Sequence, residues 1–407
     1  MFNKTLWKLS WKNILHNPVL NFMTLLQMIA VFFIAISLTS GICSRFDDYL
    51  PFRPLLSAEG EFYNTIYAVD PQTGITLNRK TLSEKLYGEP ELAGTYNVWL
   101  EYTDGKKVHS GDVYISYDDA LLKAYIPELE SGTWFPETFD SQDKIPVVVS
   151  QNQYGLQVGD EISFAAFGYE ENLQARVIGV MKEGAKFINC TNPKNDDFSA
   201  KNLYYHFYHE IEERTLFLFP QSLLDDGDKA ITQLHGPLFV TYTEQNHEAK
   251  EKNREYLKTI PNSYCNETDV IRSNSYTYIF EECRLLFPIL LAVLIMTVVG
   301  SMSVNALMAK HRLRAFAVFY ICGLKWREGA KISLISSFMI GALSFAIAVG
   351  SIGILQNTTL LANSVIRIGW VQIVVLLGIM LIYMLFATAL PIRLIRSRTP
   401  IQVLHSN

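Results

Sequence analysis

Four long apolar runs divide this chain, and they constrain its fold more than any other feature. They span residues 18–43, 285–309, 332–355 and 370–392. A helix needs roughly 20 mostly apolar residues to cross a bilayer, and each run reaches that length. Gly300, Gly341 and Gly350 lie within the runs, and small residues let membrane helices approach closely. The sequence therefore predicts four transmembrane helices rather than four buried helices of a soluble protein.

Acidic and basic residues are also distributed unevenly along the chain. Residues 45–284 hold 39 of the 40 acidic residues but only 22 of the 35 Lys and Arg, a net charge of −17. The rest of the chain carries 13 basic residues and one acid, Glu328. All of those bases except Arg367 lie before the first run, between the second and third, or after the fourth. The positive-inside rule therefore predicts cytoplasmic termini and a large outer domain.

These two patterns together predict the organisation of the chain. The predicted order is a cytoplasmic amphipathic helix (1–17), transmembrane helix 1 (18–43), an extracytoplasmic domain with a stalk (44–284), transmembrane helix 2 (285–309), a cytoplasmic coupling loop (310–331), transmembrane helix 3 (332–355), an outer loop (356–369), transmembrane helix 4 (370–392) and a cytoplasmic tail (393–407).

The outer domain is predicted to be α+β. Strand patterns recur in it, and two helical patterns, at 117–124 and 246–258, lie among them. The strand patterns cover residues 144–150, 160–164, 175–181, 216–219 and 237–242. Residues 269–284 are predicted to form a helix that continues into the second span as part of the stalk.

The N-terminal segment has the pattern of an amphipathic helix. Lys4, Lys8 and Lys12 repeat every four residues on one face, whereas Trp7 and Trp11 lie on another. A basic face opposite a Trp-rich face is typical of a helix that lies flat on a membrane surface. The alternative is a plain juxtamembrane stretch without a discrete helix. Membrane lipid is therefore a predicted partner of this segment.

The sequence carries no recognisable catalytic motif. It contains no G-x-x-x-x-G-K-[ST], no H-E-x-x-H and no G-x-S-x-G, so we expect neither an enzyme nor a bound cofactor. His206 and His209 are three residues apart, but no third ligand lies nearby, which favours packing or surface exposure over metal binding. Cys190 and Cys265 could form a disulfide in an exported domain, although spacing alone does not decide this.

The apolar runs contain no Asp or Glu, and Lys and Arg are missing from their centres. Ionisable groups inside a membrane usually mark ion or proton pathways. Their absence argues against an ion channel or a proton-coupled transporter. It suggests that the energy for any transport comes from another subunit.

Five segments, taken in order, resemble the FtsX-like permease family, and in particular permeases of MacB type. The first, 6–17 (LWKLSWKNILHN), resembles the family's basic lead-in to span one. The next two, 146–163 (PVVVSQNQYGLQVGDEIS) and 175–180 (ARVIGV), are similar to its outer-domain signature. The fourth, 312–325 (RLRAFAVFYICGLK), resembles its cytoplasmic loop, and the last, 390–404, its closing segment around LPIR and TPIQVL.

The resemblance implies a four-helix membrane protein with a MacB-type outer domain inserted between helices 1 and 2, in a bacterial plasma membrane. It implies partners as well: ABC ATPase subunits that bind the ATP, and a second permease copy or a paralogue. ATPase closure would then move the outer domain to export or extract a peptide or a lipid-linked substrate. No nucleic acid is expected. Residues expected at the ATPase contact are Arg312, Arg314, Phe316, Gly323, Leu324 and Trp326.

One departure from the family pattern concerns that contact. Ala315 occupies the position of the family's usual Glu, which puts the detail of ATPase coupling in doubt. Trp326 fits membrane anchoring as well as it fits ATPase docking. A sensor that signals ligand occupancy or force to a cell-wall enzyme shares the same topology. The residues do not distinguish these alternatives, nor a homodimer from a heterodimer.

Overall fold

A computed structural model describes most of the chain. The described residues are 2–16, 18–105, 107–136, 144–166, 172–188, 198–206, 214–224, 231–321, 326–356 and 366–396. Side chains are not described at 2–5, 13, 204–206, 282, 308, 311–320, 326–330 and 394–396. The chain divides into two units. The helical unit comprises Met1–Arg45 and Ile279–Asn407, and the sheet unit comprises Phe46–Tyr278.

Helices and strands are numbered in chain order. The α-helices are α1 (Phe2–His16), α2 (Pro18–Tyr49), α3 (Arg53–Ser57), α4 (Arg79–Lys85), α5 (Asp119–Ala124), α6 (Lys250–Thr259), α7 (Thr268–Ile321), α8 (Trp326–Gln356) and α9 (Trp370–Arg396). The strands are β1 (Gly60–Thr65), β2 (Glu91–Val98), β3 (Leu100–Thr103), β4 (Val108–His109), β5 (Val113–Tyr117), β6 (Leu129–Gly132), β7 (Ile145–Val149), β8 (Glu161–Ala166), β9 (Leu173–Met181), β10 (Lys186–Ile188), β11 (Tyr204–His206), β12 (Leu216–Pro220), β13 (Thr232–Thr241) and β14 (Ser263–Glu267).

Among the residues that the structure describes, four helices could cross a membrane. By length and composition, α2, α7, α8 and α9 each contain a sufficiently long apolar stretch. α7 begins at Thr268, which confirms the predicted helix upstream of the second span. Pro18 is the first residue of α2, where its fixed backbone and missing N–H are tolerated. The prediction of four membrane-capable helices is therefore confirmed.

The helical unit has one apolar core shared by α2, α8 and α9. Phe32 of α2 and Tyr383 of α9 are fully buried there, with Ala348 of α8. A Cβ at Gly341 of α8 would lie 3.1 Å from Cγ of Met380 on α9, so glycine permits the close approach of these helices.

A polar side chain also joins three of the helices. The Asn305 amide of α7 donates to Oγ of Ser337 on α8 and to the carbonyl of Ala387 on α9, each at 3.3 Å. Hydrogen bonds of this kind satisfy polar groups in apolar surroundings and stabilise helix association.

The sheet unit contains a mixed sheet. Its strand order is β14-β1-β13-β2-β5-β12-β7-β9-β8-β3-β4, with β6 paired to β9, and β10 and β11 form a separate pair. The β5–β12 and β7–β9 pairs are parallel, and the other described pairs are antiparallel. A sheet with short helices agrees with the predicted α+β class.

Apolar clusters stabilise this sheet, and two of them are formed by described residues as follows. The first lies around β7, β8, β9 and β12, where Phe217 stacks on Tyr114 at 5.3 Å and meets Phe164 edge-to-face at 5.1 Å. The second lies around β1, β2 and β13, and it is completed by Leu82 of α4 and Leu257 of α6. The many aromatic residues of the outer segment thus form folded cores.

Gly132 in β6 is expected to tolerate no side chain. Its φ is +83°, and a Cβ there would lie 2.2 Å from the Ile178 carbonyl oxygen. Gly105 has the same φ of +83°, but a Cβ there would meet open space. Gly105→Ala should cost about 1–2 kcal/mol for the left-handed backbone. Gly132→Ala should cost roughly 1–3 kcal/mol more because of the overlap.

Thermal unfolding of the two full-length variants measures this difference. Equal stability losses would show that β6 moves to relieve the overlap, contrary to the prediction.

Candidate functional sites

The predicted coupling segment, residues 310–331, is mostly helical rather than an open loop. α7 continues to Ile321 and α8 begins at Trp326. Three predicted contact residues, Arg312, Arg314 and Phe316, therefore lie in the last turns of α7. Gly323 and Leu324 lie outside the described residues, and the side chains of the other four are not described. Their contact with an ATPase stays a prediction.

The N-terminal helix α1 packs against α8. Ser10 is fully buried, and its hydroxyl donates to the Ile332 carbonyl at 3.2 Å. Ser336 of α8 donates in return to the Ser10 carbonyl at 3.3 Å. The Trp7 ring meets Phe338 edge-to-face with 6.2 Å between centroids. α1 is therefore joined to the early turns of the helix that follows the coupling segment.

The predicted membrane-surface residues lie on the outer sides of α1. The exposed ones are Trp7 (44% exposed), Trp11 (50% exposed), Lys8 and Lys12. The Lys4 side chain is not described. Sequence reasoning missed the buried stripe formed by Leu6 and Ser10, although their spacing of four residues is a helical signal. Whether α1 lies on a membrane surface stays a prediction.

The end of α2 is packed within the sheet unit. Asp48 forms an ion pair with Lys186, the first residue of β10. Tyr49 is buried, and its ring lies 5.2 Å from that of Tyr276 in α7. A change in the position of this helix end would therefore act directly on the strands around β10.

The beginning of α7 is held within the sheet unit as well. The buried Ser275 hydroxyl accepts a hydrogen bond from the Ala200 amide at 2.9 Å. The Asn274 amide donates to the Phe198 carbonyl at 3.1 Å, and the Thr268 hydroxyl donates to the Ala58 carbonyl at 2.8 Å. Two separate segments of the sheet unit, one at Ala58 and one at residues 198–200, thus bind the first turns of α7.

A charge cluster around the buried Glu61 carboxylate lies beside the start of α7. Glu61 of β1 is fully buried and accepts hydrogen bonds from Nε and Nη2 of Arg254 at 2.9 and 2.7 Å. Arg254 belongs to α6, and its Nη2 also pairs with Glu267 at 2.5 Å. Glu267 is the last residue of β14, next to Thr268. We call Glu61, Arg254 and Glu267 the Arg254 cluster.

The electrostatics of the Arg254 cluster reflect competition between burial and pairing. Burial raises the pKa of Glu61, although the Arg254 guanidinium opposes the shift. The hydrogen bond to Glu61 raises the pKa of Arg254. Among the described residues, Oε2 of Glu61 has no hydrogen-bond partner. Glu61 therefore depends on Arg254 to remain ionised in its buried position.

Cys265 of β14 forms no disulfide with another cysteine in the described part of the chain. Burial raises its pKa to about 12, with a smaller contribution from the charge of Glu61. A thiol with such a pKa remains protonated at neutral pH and is a poor nucleophile. Cys190, its suggested disulfide partner, lies outside the described residues, as does His209 of the His pair.

Two exposed rings, Tyr67 and Trp99, and the partly buried ring of His235 form an aromatic cluster on the sheet unit. Tyr67 adopts a positive φ of +58° and stacks on Trp99, with 6.4 Å between centroids. The His235 ring lies 5.1 Å from Tyr67, beside the irregular pairing of β13 with β2. Tyr67 and Trp99 are 48% and 44% exposed. A ring or an apolar side chain of a ligand could stack on this cluster.

Comparison with known proteins finds similarity only among solved structures. No protein-family model and no curated protein sequence matches the chain. The periplasmic region of MacB from Actinobacillus actinomycetemcomitans is 12% identical, over 55% of this chain and 94% of its own length, with a TM-score of 0.30. The extracellular domain of the noncanonic ABC-type transporter YknZ from Gram-positive bacteria is 9% identical, over 51% and 99%, with a TM-score of 0.29.

The first is a periplasmic region, and the second is the extracellular domain of an ABC-type transporter.

Proposed function

We propose that this chain is the permease subunit of an ABC transporter, driven by a separate cytoplasmic ATPase. The observation that carries the proposal is the continuity of α7. This single helix of 54 residues begins beside the Arg254 cluster and ends in the predicted coupling segment. Force applied at the ATPase contact would therefore act along one helix on the outer domain.

The sequence also supports a permease and an ATPase on separate subunits. The chain has no P-loop, so ATP is bound by the partner subunits. The distribution of basic residues supports a cytoplasmic position for the coupling segment, where such an ATPase would bind. The outer domain then moves to export or extract a peptide or a lipid-linked substrate.

A second permease subunit, a copy or a paralogue, completes the proposed assembly. Among the described residues, the most apolar stretch of α7 is less buried than the corresponding stretches of α2, α8 and α9. Leu285, Phe287, Ile295 and Met296 on this helix are each about half exposed or more. These exposed apolar residues of α7 offer packing contacts for a second subunit within the membrane.

A sensor or regulator is the second candidate function. Ala315 stands where the resembled family usually has Glu, which favours a chain that has lost its ATPase contact. The outer domain would then bind a ligand or a cell-wall enzyme, and the helices would transmit occupancy or force to a partner.

Affinity purification of the full-length chain from native membranes in mild detergent tests the proposal. We expect mass spectrometry to find an ABC ATPase in near-equal amount. A second, different permease in the same complex would identify a heterodimer. A known ABC permease, tagged and purified in parallel, is the control. Absence of an ATPase where that control complex stays intact would favour the sensor.

A further inference from the structure

An apolar cleft of about 820 Å³ lies in the helical unit, between α1, the first turns of α2, and α8. Its volume falls within the roughly 300–1,000 Å³ of sites that hold one small molecule. Its largest lining side chains are Trp7, Trp11, Leu15, Phe22, Phe338 and Leu343. The one polar lining residue, Asn21, already donates to the Ile14 carbonyl at 2.8 Å. The cleft therefore selects an apolar occupant.

Lysines border the cleft on the outer side of α1. An α-helix turns 100° per residue, which divides α1 into three adjacent stripes. Leu6 and Ser10 form the buried stripe against α8. The stripe of Trp7 and Trp11 faces the cleft, and beside it lies the stripe that contains Lys8 and Lys12.

Among the side chains that the structure describes, no carboxylate pairs with either lysine. No Asp or Glu occurs in the chain before Asp47. Both side chains are exposed. A ligand with an apolar chain and a negative head would therefore match both the cleft and its border.

We propose that the cleft binds an acyl chain of an anionic phospholipid, whose headgroup contacts Lys8 and Lys12. Trp rings favour the level of the membrane at which headgroups begin, and Lys attracts anionic lipid from solution or from the bilayer. A purely apolar helix of a second copy would fill the cleft but would leave the lysine stripe unused. The lipid would thus join α1 to α8, the helix that follows the coupling segment.

The site depends on membrane insertion of the helices but not on an ATPase partner. Failure of the proposed permease function and failure of the lipid site are therefore distinguishable.

Tryptophan fluorescence of the full-length chain tests the site. Phosphatidylglycerol with brominated acyl chains, which quench nearby indole rings, is titrated into protein in phosphatidylcholine nanodiscs. We expect a component of quenching that saturates at a low mole fraction of phosphatidylglycerol. It should disappear when Trp7 and Trp11 are both replaced by Phe. Brominated phosphatidylcholine should give only the gradual, non-saturating quenching of the remaining tryptophans.

Charge variants test the headgroup contact. K8Q/K12Q should raise the mole fraction of phosphatidylglycerol at half-saturation about 25-fold, roughly fivefold for each lysine. Added salt should reduce the difference from wild type. Lys310 of α7 is exposed but does not line the cleft, so K310Q should leave the midpoint within about twofold. Equal midpoints for these two variants would overturn the headgroup assignment.

A larger side chain that fills the cleft tests the acyl-chain contact. Ala346 lines the cleft and is exposed, so A346F should abolish the saturable component. Ala389 of α9 is also exposed but does not line the cleft, and A389F is the matched control. Saturable quenching retained in A346F would overturn the acyl-chain site. Saturation by brominated phosphatidylcholine at the same midpoint would overturn the selectivity.

Occupation of the cleft by a second copy of the chain would give a different result. Wild-type protein would then show no saturable quenching, and L343C would form a disulfide between copies. That result would overturn the lipid proposal in favour of a protein interface.

Discussion

Protein carrying Phe316→Asp is expected to lose its ATP-dependent function while its membrane helices remain folded. A charged side chain in place of an apolar contact leaves a carboxylate desolvated at the ATPase surface. Central contacts of an interface often contribute 2 kcal/mol or more, so association with the ATPase should weaken at least about 30-fold. Arg314→Glu should act in the same direction by reversing a charge in the same turn region of α7.

The measurements are ATPase activity in proteoliposomes and the amount of ATPase that copurifies. Arg367→Glu is the control for charge reversal, because Arg367 is the one base outside the acidic block that lies on the predicted outer side. It should leave coupling intact. Trp326→Ala separates the two roles open for Trp326: weaker ATPase association indicates docking, and unchanged association indicates anchoring.

Full ATP-dependent function in both Phe316→Asp and Arg314→Glu would remove the coupling role from this segment. Helical content and size-exclusion behaviour of each variant, compared with wild type, would exclude loss of fold as the cause.

Arg254→Met is expected to destabilise the sheet unit by about 3–5 kcal/mol at neutral pH. The substitution leaves Glu61 fully buried without its cation, whereas Arg254 now donates two hydrogen bonds to it. It also releases Glu267 beside the first residue of α7. We therefore expect the loss to concentrate in β1, β14 and the start of α7.

The loss of stability caused by Arg254→Met should be smaller at low pH. Burial already raises the pKa of Glu61, and loss of Arg254 would raise it further. A carboxyl group with a raised pKa in the folded state binds protons more readily there than in the unfolded state. Stability then falls as pH rises from the unfolded toward the folded pKa of Glu61. Below that interval Glu61 is protonated in both states and the penalty is smallest.

Hydrogen exchange of the full-length variants, followed over β1 and β14, measures the local free energy of opening. E61Q/R254M should recover most of the loss, because the buried charge is then absent. Arg272 forms a more exposed pair with Asp269 at 2.9 Å, so Arg272→Met should cost less than about 1 kcal/mol. Similar losses for Arg254→Met and Arg272→Met would contradict a special role for the Arg254 cluster.

The strands that sequence predicted and those it missed differ in what they bury. β7, β8, β9 and β12 are rich in β-branched or aromatic residues, so pattern reasoning finds them. β1 is buried along its whole length yet contains Glu61 and Asn64, and β14 contains Asn266 and Glu267. A polar residue such as Glu61 can be buried in a strand because a distant partner, here Arg254, forms hydrogen bonds with it. Such partners are not visible in a local pattern.

The packing face of the N-terminal helix α1 is likewise not visible in a local sequence pattern. The pattern of Lys and Trp predicted an amphipathic helix, and α1 covers that segment. The face that packs against protein is nevertheless the one with Leu6 and Ser10. Ser10 is polar and small, so hydrophobicity alone does not select it. Its burial depends on hydrogen bonds to Ile332 and from Ser336, more than 300 residues away.

Sequence by itself determined the four membrane-capable helices, the separation of charge and the α+β class of the outer domain. These properties depend on hydropathy, charge and residue period, which are read along the chain. The tertiary structure decided the strand order, the Arg254 cluster, the docking of α1 on α8 and the cleft beside it. Each of these is a contact between distant segments, whose free energy depends on which partners the fold brings together.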